Sequence, residues 1–278
     1  TVLSGPAASA AGARYLTGLT EAIVVDMGGT TTDTAAVKDS VIRIHDSGTQ
    51  VGGHKTHVKA LDMRTVGLGG DSLISFSKGK FQLGPARVGP ACWTASKNPG
   101  FAKALKYLEN RLDDYRGSTE AVQFLMLSDE DPQLNLGEQE QAIVKALSNR
   151  PYSLDELTSR LGLAWHTMLR TERLQEHHVI TRCGLTPTDI LHATGEFVRW
   201  DSESAKRMCD LVAELCGQDT QTFIERIREE IVRRLTVEIL KKKLDEKTNP
   251  DELDGCPVCN TLLENMFRAN GDGYRVSI

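Results

Sequence analysis

The sequence predicts an α/β protein, and three observations carry the prediction. Short apolar runs broken by glycine-rich turns fill residues 1–96 and read as strands. From residue 101 the apolar period lengthens to that of a helix, and long amphipathic helices are predicted near 202–217 and 219–247. The chain is 40% hydrophobic and 26% charged over 278 residues, enough for one large or two modest domains with a core.

The elements follow in order. Ser4-Gly5-Pro6 is a turn feeding a small-residue helix over 7–16, whose backbone can approach a neighbour closely. Ala22-Ile23-Val24-Val25 is a strand ending in Asp26, and a second apolar strand follows Asp33. A strand is predicted at 41–45, Gly52-Gly53-His54 turns the chain, and 56–61 is a further strand. Residues 65–72 form a glycine-rich loop before a strand at 73–76; Lys78-Gly79-Lys80 turns into 81–83, and 84–92 reads as a third loop. Helices are predicted at 101–112, 138–147, 153–161 and 165–175, then a strand at 179–181. The last three of these helices with that strand resemble a winged helix-turn-helix, Ser153 capping the middle helix and Glu156 standing at the reciprocal capping position. Residues 184–196 return to loop and helix, and 249–278 is loop-rich. The domain expectation is therefore a β-rich part at 1–96, a helical insertion at 97–183 with its winged-helix-like module at 136–183, and a return at 184–278 with long C-terminal helices.

The net charge of −5 argues against a broad nucleic-acid-binding face. No apolar run reaches the ~18 residues of a membrane span, and the polar, small-residue opening at 1–13 sets the expectation of no leader. Six scattered cysteines fit a reducing, cytoplasmic setting better than a disulfide scaffold. The first residue is not Met and the chain opens on what reads as a strand end, so a piece of a longer protein is expected.

The most informative stretch is residues 24–37. Gly28 and Gly29 let the backbone approach a ligand and aim successive N–H groups at an anion. Thr30 and Thr31 add neutral donors, and either Asp26 or Asp33 can hold a hard cation such as Mg²⁺ through water. The alternative is an ordinary hairpin turning on its glycines; the two acids flanking Gly-Gly-Thr-Thr-Thr favour a phosphate grip.

Further candidates are sparser. Gly67, Gly69 and Gly70 form the second glycine loop, with Asp71 after it and Asp62 before it. His54, Asp62 and Asp71 could meet at a metal, joining Asp26 as potential ligands, and this donor set also admits zinc or another transition metal; surface histidines and a turn aspartate are the bland reading. Cys256-Pro257-Val258-Cys259 is a lone C-x-x-C, which with Cys209 and Cys216 would make a metal or redox site, against a set of free thiols. Arg160, Arg170, Arg173 and Arg182 could make the winged-helix face mildly basic, diluted by Glu172 and Glu176. Lys241-Lys242-Lys243 complements a helix C-terminus and needs no ligand.

Taken together, Ser4-Gly5-Pro6-Ala7-Ala8, Asp26-Met27-Gly28-Gly29-Thr30-Thr31-Thr32-Asp33, Thr65-Val66-Gly67-Leu68-Gly69-Gly70-Asp71-Ser72 and Gly89-Pro90-Ala91-Cys92 resemble, in order and spacing, the A-subunit family of hydantoinases and 5-oxoprolinases. The likeness covers residues 1–92 and returns at Leu185-Thr186-Pro187-Thr188-Asp189. It implies an actin/hexokinase-like (ribonuclease H-like) nucleotide-binding half, with a helical, winged-helix-like insertion where the family has a short connection. It further implies ATP and Mg²⁺ as cofactors, a small-molecule substrate, an upstream domain carrying the first phosphate loop, and a second subunit. Asp26–Asp33 would be the second phosphate loop, Gly89 and Pro90 would shape the cleft rim, and Thr188 and Asp189 would close it. The sequence departs from the family at Arg64, where the family often has His, at Asp71 in place of the loop's last glycine, and after Trp93. The resulting reading is an ATP-dependent hydrolase acting on a cyclic amide or related small molecule. The alternative is an actin-like nucleotide-dependent regulatory or scaffold protein whose winged-helix insert binds a protein or DNA.

Overall fold

The alanine-rich start is helical and takes in the Ser-Gly-Pro turn: α1 (Ser4–Thr17) ends where Gly18, at φ 66°, donates to the Arg14 carbonyl at 2.9 Å. The structure, a computed structural model, describes residues 4–39, 41–42, 44–45, 50–51, 54–55, 60–115, 119–128, 134–244, 256–259 and 261–262. The chain divides into two compact units, one of Thr1–Gly67 with Arg228–Ile278 and one of Leu68–Ile227.

In the first unit, β1 (Ala22–Met27) and β2 (Thr32–Lys38) form the predicted hairpin. The predicted strand at 41–45 is split into β3 (Val41–Ile42) and β4 (Ile44–His45). Then follow β5 (Gln50–Val51), β6 (His54–Lys55), β7 (Ala60–Leu61) and β8 (Met63–Val66). Of the strand predicted at 56–61 only Ala60–Leu61 lies within the described residues. The Gly52-Gly53 turn and His57 lie outside them. β2 has β1 on one side and β3 and β8 on the other, so Thr32 through Val37 are buried without a break. β4 pairs with β7 and β5 with β6, each as a two-stranded ladder.

The second unit opens with β9 (Ser72–Ser77) and β10 (Lys80–Arg87), antiparallel about a two-residue turn in which Lys78 and Gly79 both take positive φ. The third loop predicted at 84–92 is not a loop. A register shift between Leu83 and Arg87 keeps glycine and proline inside β10, and β11 (Gly89–Pro90) leads directly into α2 (Ala91–Lys97). α3 (Phe101–Glu109), β12 (Phe124–Leu127), α4 (Glu138–Leu147), β13 (Tyr152–Ser153), α5 (Leu154–Arg160), α6 (Glu172–Glu176) and β14 (Ile180–Gly184) follow, then α7 (Pro187–Thr194), α8 (Ser202–Leu215) and α9 (Thr220–Leu244). α9 begins in this unit and from Arg228 belongs to the first.

One sheet organises the second unit: β11-β14-β12-β13, with β11 parallel to β14 and the other pairs antiparallel. Phe101 meets Phe124 edge-on at 4.8 Å beneath it. Residues 97–183 are thus not hung outside the fold, because their strands β12 and β14 complete the sheet that starts at β11. The boundaries predicted at 96 and 183 both fall inside the second unit.

The helical part carries its own apolar cluster, with Leu125, Ile143, Leu147, Leu157, Leu174 and Ile180 among its buried members. Ser153 caps α5 as predicted, accepting from the Glu156 N–H at 3.1 Å, but the Glu156 carboxylate turns away to Arg150. The helix predicted at 165–175 is replaced by a 3₁₀ turn, His166–Met168, and the five-residue α6. Leu169 is buried in the cluster, which draws the chain out of helical phase there. Of the arginines proposed for a basic face, Arg160 and Arg170 are exposed. Arg173 pairs with Glu140 at 2.9 Å, and Arg182 sits on β14. Among the described residues no helix is long and apolar enough to cross a membrane.

Candidate functional site

The hairpin places its acids together. Asp26 and Asp33 are directly opposite across the β1–β2 ladder, so their side chains share one face. Asp33 is 9% exposed and accepts from the Thr65 hydroxyl of β8 at 2.5 Å and the Thr31 hydroxyl at 3.4 Å. Asp26 is half-buried, and among the described residues neither acid forms an ion pair with a cationic side chain. The Gly28 N–H bonds the Thr31 carbonyl at 2.9 Å and closes the turn, so it is not available to a phosphate. Gly29 and Thr30 stand exposed at the tip, and no described residue engages their N–H groups.

The second glycine loop straddles the division between the units, Gly67 in the first and the rest in the second. It is closed on itself. Gly69 is buried and its N–H donates to the Ser72 hydroxyl at 2.8 Å, while Ser72 N–H returns a bond to the Gly69 carbonyl at 3.1 Å. The Gly70 carbonyl accepts from both the N–H and the hydroxyl of Thr188, at 3.0 and 2.8 Å. Gly69 is therefore held by the fold rather than presented to a nucleotide.

Asp189 is the strongest structural anchor of the region. Fully buried at the third position of α7, it accepts from the Thr186 N–H and hydroxyl, both at 2.9 Å, and from the N–H groups of Ala91 and Cys92 at 3.0 and 2.8 Å. One carboxylate thus caps α7 and α2 together and fixes β11 against the start of α7. Burial pushes its carboxyl up from the usual range, and the four donors pull it back down. Three residues on, His192 is buried with Nδ1 2.8 Å from the Thr188 carbonyl and Nε2 facing the N–H groups of Arg199 and Trp200 at 3.2 Å. That network requires the neutral ring with its proton on Nδ1. Thr188 and Asp189, predicted to close a cleft, lock the loops instead.

Of the proposed metal ligands, Asp62 and Asp71 each already face a cation within their own unit. The Asp62 carboxylate lies 2.5 Å from the Lys242 ammonium, both buried, and that cation already answers its charge. Asp71 is paired to Arg87 at 3.1 Å in the second unit. His54 is on the β5–β6 hairpin opposite Val51. Arg64, where a metal-ligating histidine would stand, pairs with Glu238 of α9 at 3.5 Å. Among the described residues no group of three or more His, Cys, Asp or Glu side chains could hold a metal ion. Asp26 and Asp33 put oxygen donors on one face, the kind of donor a hard cation takes.

The predicted rim residues Gly89 and Pro90, with Asp71, line a cavity of about 520 Å³ inside the second unit. Trp93, Trp200, His178 and Arg182 share its wall. Gly89 is required there, since a Cβ would come within 2.9 Å of the Trp93 ring. Trp200 stacks on His192 at 5.6 Å and 7°. Nothing in the residues around Trp200 marks it as a wall residue before folding. Arg182 was legible only as one of several scattered cations.

The cysteines do not converge among the described residues. Burial raises the thiols of Cys92 and Cys209, Cys183 to about 12 and Cys216 to about 11. Cys256 and Cys259 are a local pair, the Cys259 N–H donating to the Cys256 sulfur at 3.3 Å. The Cys259 thiol and N–H lower Cys256, and the same pairing raises Cys259.

The family match lies at the amino-terminal end of the chain. Residues 1–105 match the family described as Hydantoinase/oxoprolinase. The 5-oxoprolinase 1 of Arabidopsis thaliana is 39% identical over 100 residues, covering 33% of this chain and 8% of that relative's length. The nucleotide-free structure of acetone carboxylase, reported for the mechanism of ATP-dependent acetone carboxylation, overlays with a TM-score of 0.46 at 15% identity, covering 98% of this chain and 25% of that one. The chain thus spans a small part of the length of the relatives it matches. Residues 1–105, which contain the acid-bearing hairpin, are the part of the chain that matches the hydantoinase/oxoprolinase family.

Proposed function

We propose that the protein carrying this chain is an ATP-dependent enzyme of hydantoinase/oxoprolinase type that opens a cyclic amide or a related small molecule. Residues 26–33 would be the second of two phosphate loops in an actin/hexokinase-like fold, the first lying in an upstream domain. The observation that carries the reading is Asp26 directly opposite Asp33 beside an exposed Gly29-Thr30 tip, within the segment that matches the family. Like charges across a ladder cost roughly 0.2–1 kcal/mol. Such a pair is sustained where a cation meets it.

Asp26 and Asp33 are the residues that would hold Mg²⁺, which neutralises phosphate charge when bound. The N–H groups of Gly29 and Thr30 and the Thr31 hydroxyl would donate to the phosphate oxygens. The Thr65 hydroxyl would keep Asp33 oriented. Substrate chemistry would come from the upstream domain or a second subunit, in a cytoplasmic setting.

The test is Mg²⁺-dependent ATP hydrolysis by the full-length protein, with 5-oxoproline and hydantoin as stimulants. Turnover should fall at least 100-fold in Asp26→Ala and in Asp33→Ala, an effect of about 2.7 kcal/mol or more on the barrier. Stimulation by one compound would name the substrate class. No turnover from folded wild-type protein would move the reading to a nucleotide-dependent regulatory or scaffold protein, for which the separately cored helical part would be the binding module.

A further inference from the structure

We propose that the cavity of the second unit, lined by Trp93, Trp200 and Arg182, binds a small organic monoanion, a carboxylate carried on a flat apolar frame. Arg182 brings a guanidinium to the cavity wall. A guanidinium presents five N–H donors and is always charged. Here Gln123 Oε1 takes one bond from Nη1 at 3.1 Å, and the Nε–H is buried without an acceptor. No carboxylate forms an ion pair with Arg182 among the described residues; Glu172 acts on it only through space. Burial draws the guanidinium below its ordinary range and Glu172 opposes that, as befits a charge taken out of water without a partner. A desolvated, unpaired charge is strongly unfavourable, and a bound anion removes that penalty.

The other charges on the wall fix the valence. Arg87 is already answered by Asp71, with Nε and Nη2 both donating to Oδ2, at 3.3 and 3.1 Å. His178 holds a left-handed φ of 57°, a strained backbone of the kind that gathers at binding sites. One uncompensated cation beside two indoles favours a monoanion with an apolar body over a phosphate dianion. The volume of about 520 Å³ lies within the span of small-molecule sites. His178, Arg182 and Trp200 lie beyond residues 1–105, outside the family match, and the cavity is wholly within the second unit. The proposal stands apart from the ATPase reading.

The experiment is calorimetric titration of the 278-residue chain with benzoate, its neutral isostere benzamide, and inorganic phosphate. Benzoate should bind saturably and at least tenfold more tightly than benzamide or phosphate. In Arg182→Gln that preference should vanish while benzamide binding changes less than twofold. Trp200→Ala should weaken both aromatic ligands. Equal affinity for benzoate and benzamide in the wild type would overturn the proposal without any variant. So would tighter binding of phosphate, no saturable benzoate binding, or an unchanged preference in folded Arg182→Gln.

Discussion

Two glycine-rich loops look alike in this sequence and are opposite in the structure. The 67–72 loop has its N–H and C=O groups taken by Ser72 and Thr188, and Asp189 pins the neighbouring turns from a fully buried position. The 28–31 turn uses only the Gly28 N–H for its own closure and leaves an exposed tip beside two facing acids. The difference teaches that glycine permits a close approach without saying what approaches. In the closed loop it is the protein's own hydroxyls; at the hairpin nothing described fills the role.

The comparison can be broken or sharpened by substitution, the largest effect first. Asp189→Ala would leave four buried donors without their acceptor. It should cost about 4–5 kcal/mol in urea unfolding of the second unit's transition. A loss below about 1 kcal/mol would mean the loop is closed by something other than this carboxylate. Lys242→Met should cost about 3 kcal/mol by the same measurement, because it strips the buried Asp62 of the ammonium at 2.5 Å. Asp26→Asn, in contrast, should change stability by no more than about 0.5 kcal/mol, and toward greater stability, since it relieves a like-charge pair. A large destabilisation there would mark the hairpin as a structural closure like its counterpart.

The smallest effect is chemical. Below pH 9 the lowered pKa of Cys256 gives it more thiolate than an ordinary cysteine, whereas Cys92, Cys183 and Cys209 remain protonated and buried. Iodoacetamide at pH 7.5 should therefore label Cys256 ahead of Cys259, and the three buried thiols only after denaturation. Equal labelling of Cys256 and Cys259 would show that their pairing does not tune the thiols.

Much of the fold was legible because its signals are local. Short apolar runs and Gly-Gly marked the β1–β2 hairpin, and Ser153 marked the start of α5, through steric and hydrogen-bonding preferences that act within a few residues. The failures share a cause. β10 continues through Gly84-Pro85 because a register shift absorbs them, and the 165–175 helix breaks because Leu169 is drawn into a cluster built by Ile143, Leu157 and Leu174. Both outcomes depend on partners far along the chain.

The sequence by itself determined the α/β character, the acid-flanked hairpin and the likeness of residues 1–105 to the hydantoinase/oxoprolinase family, since each is written in a contiguous run of residue types. Only the tertiary structure decided which polar groups remain open. Asp62 is answered by Lys242, Asp71 by Arg87 and Asp189 by four donors, while Asp26, Asp33 and Arg182 lack an ionic partner among the described residues. The physical reason is that the free energy of a charge is set by what folding brings within a few ångströms of it. Sequence distance carries almost none of that information: Asp62 and Lys242 are 180 residues apart and in contact.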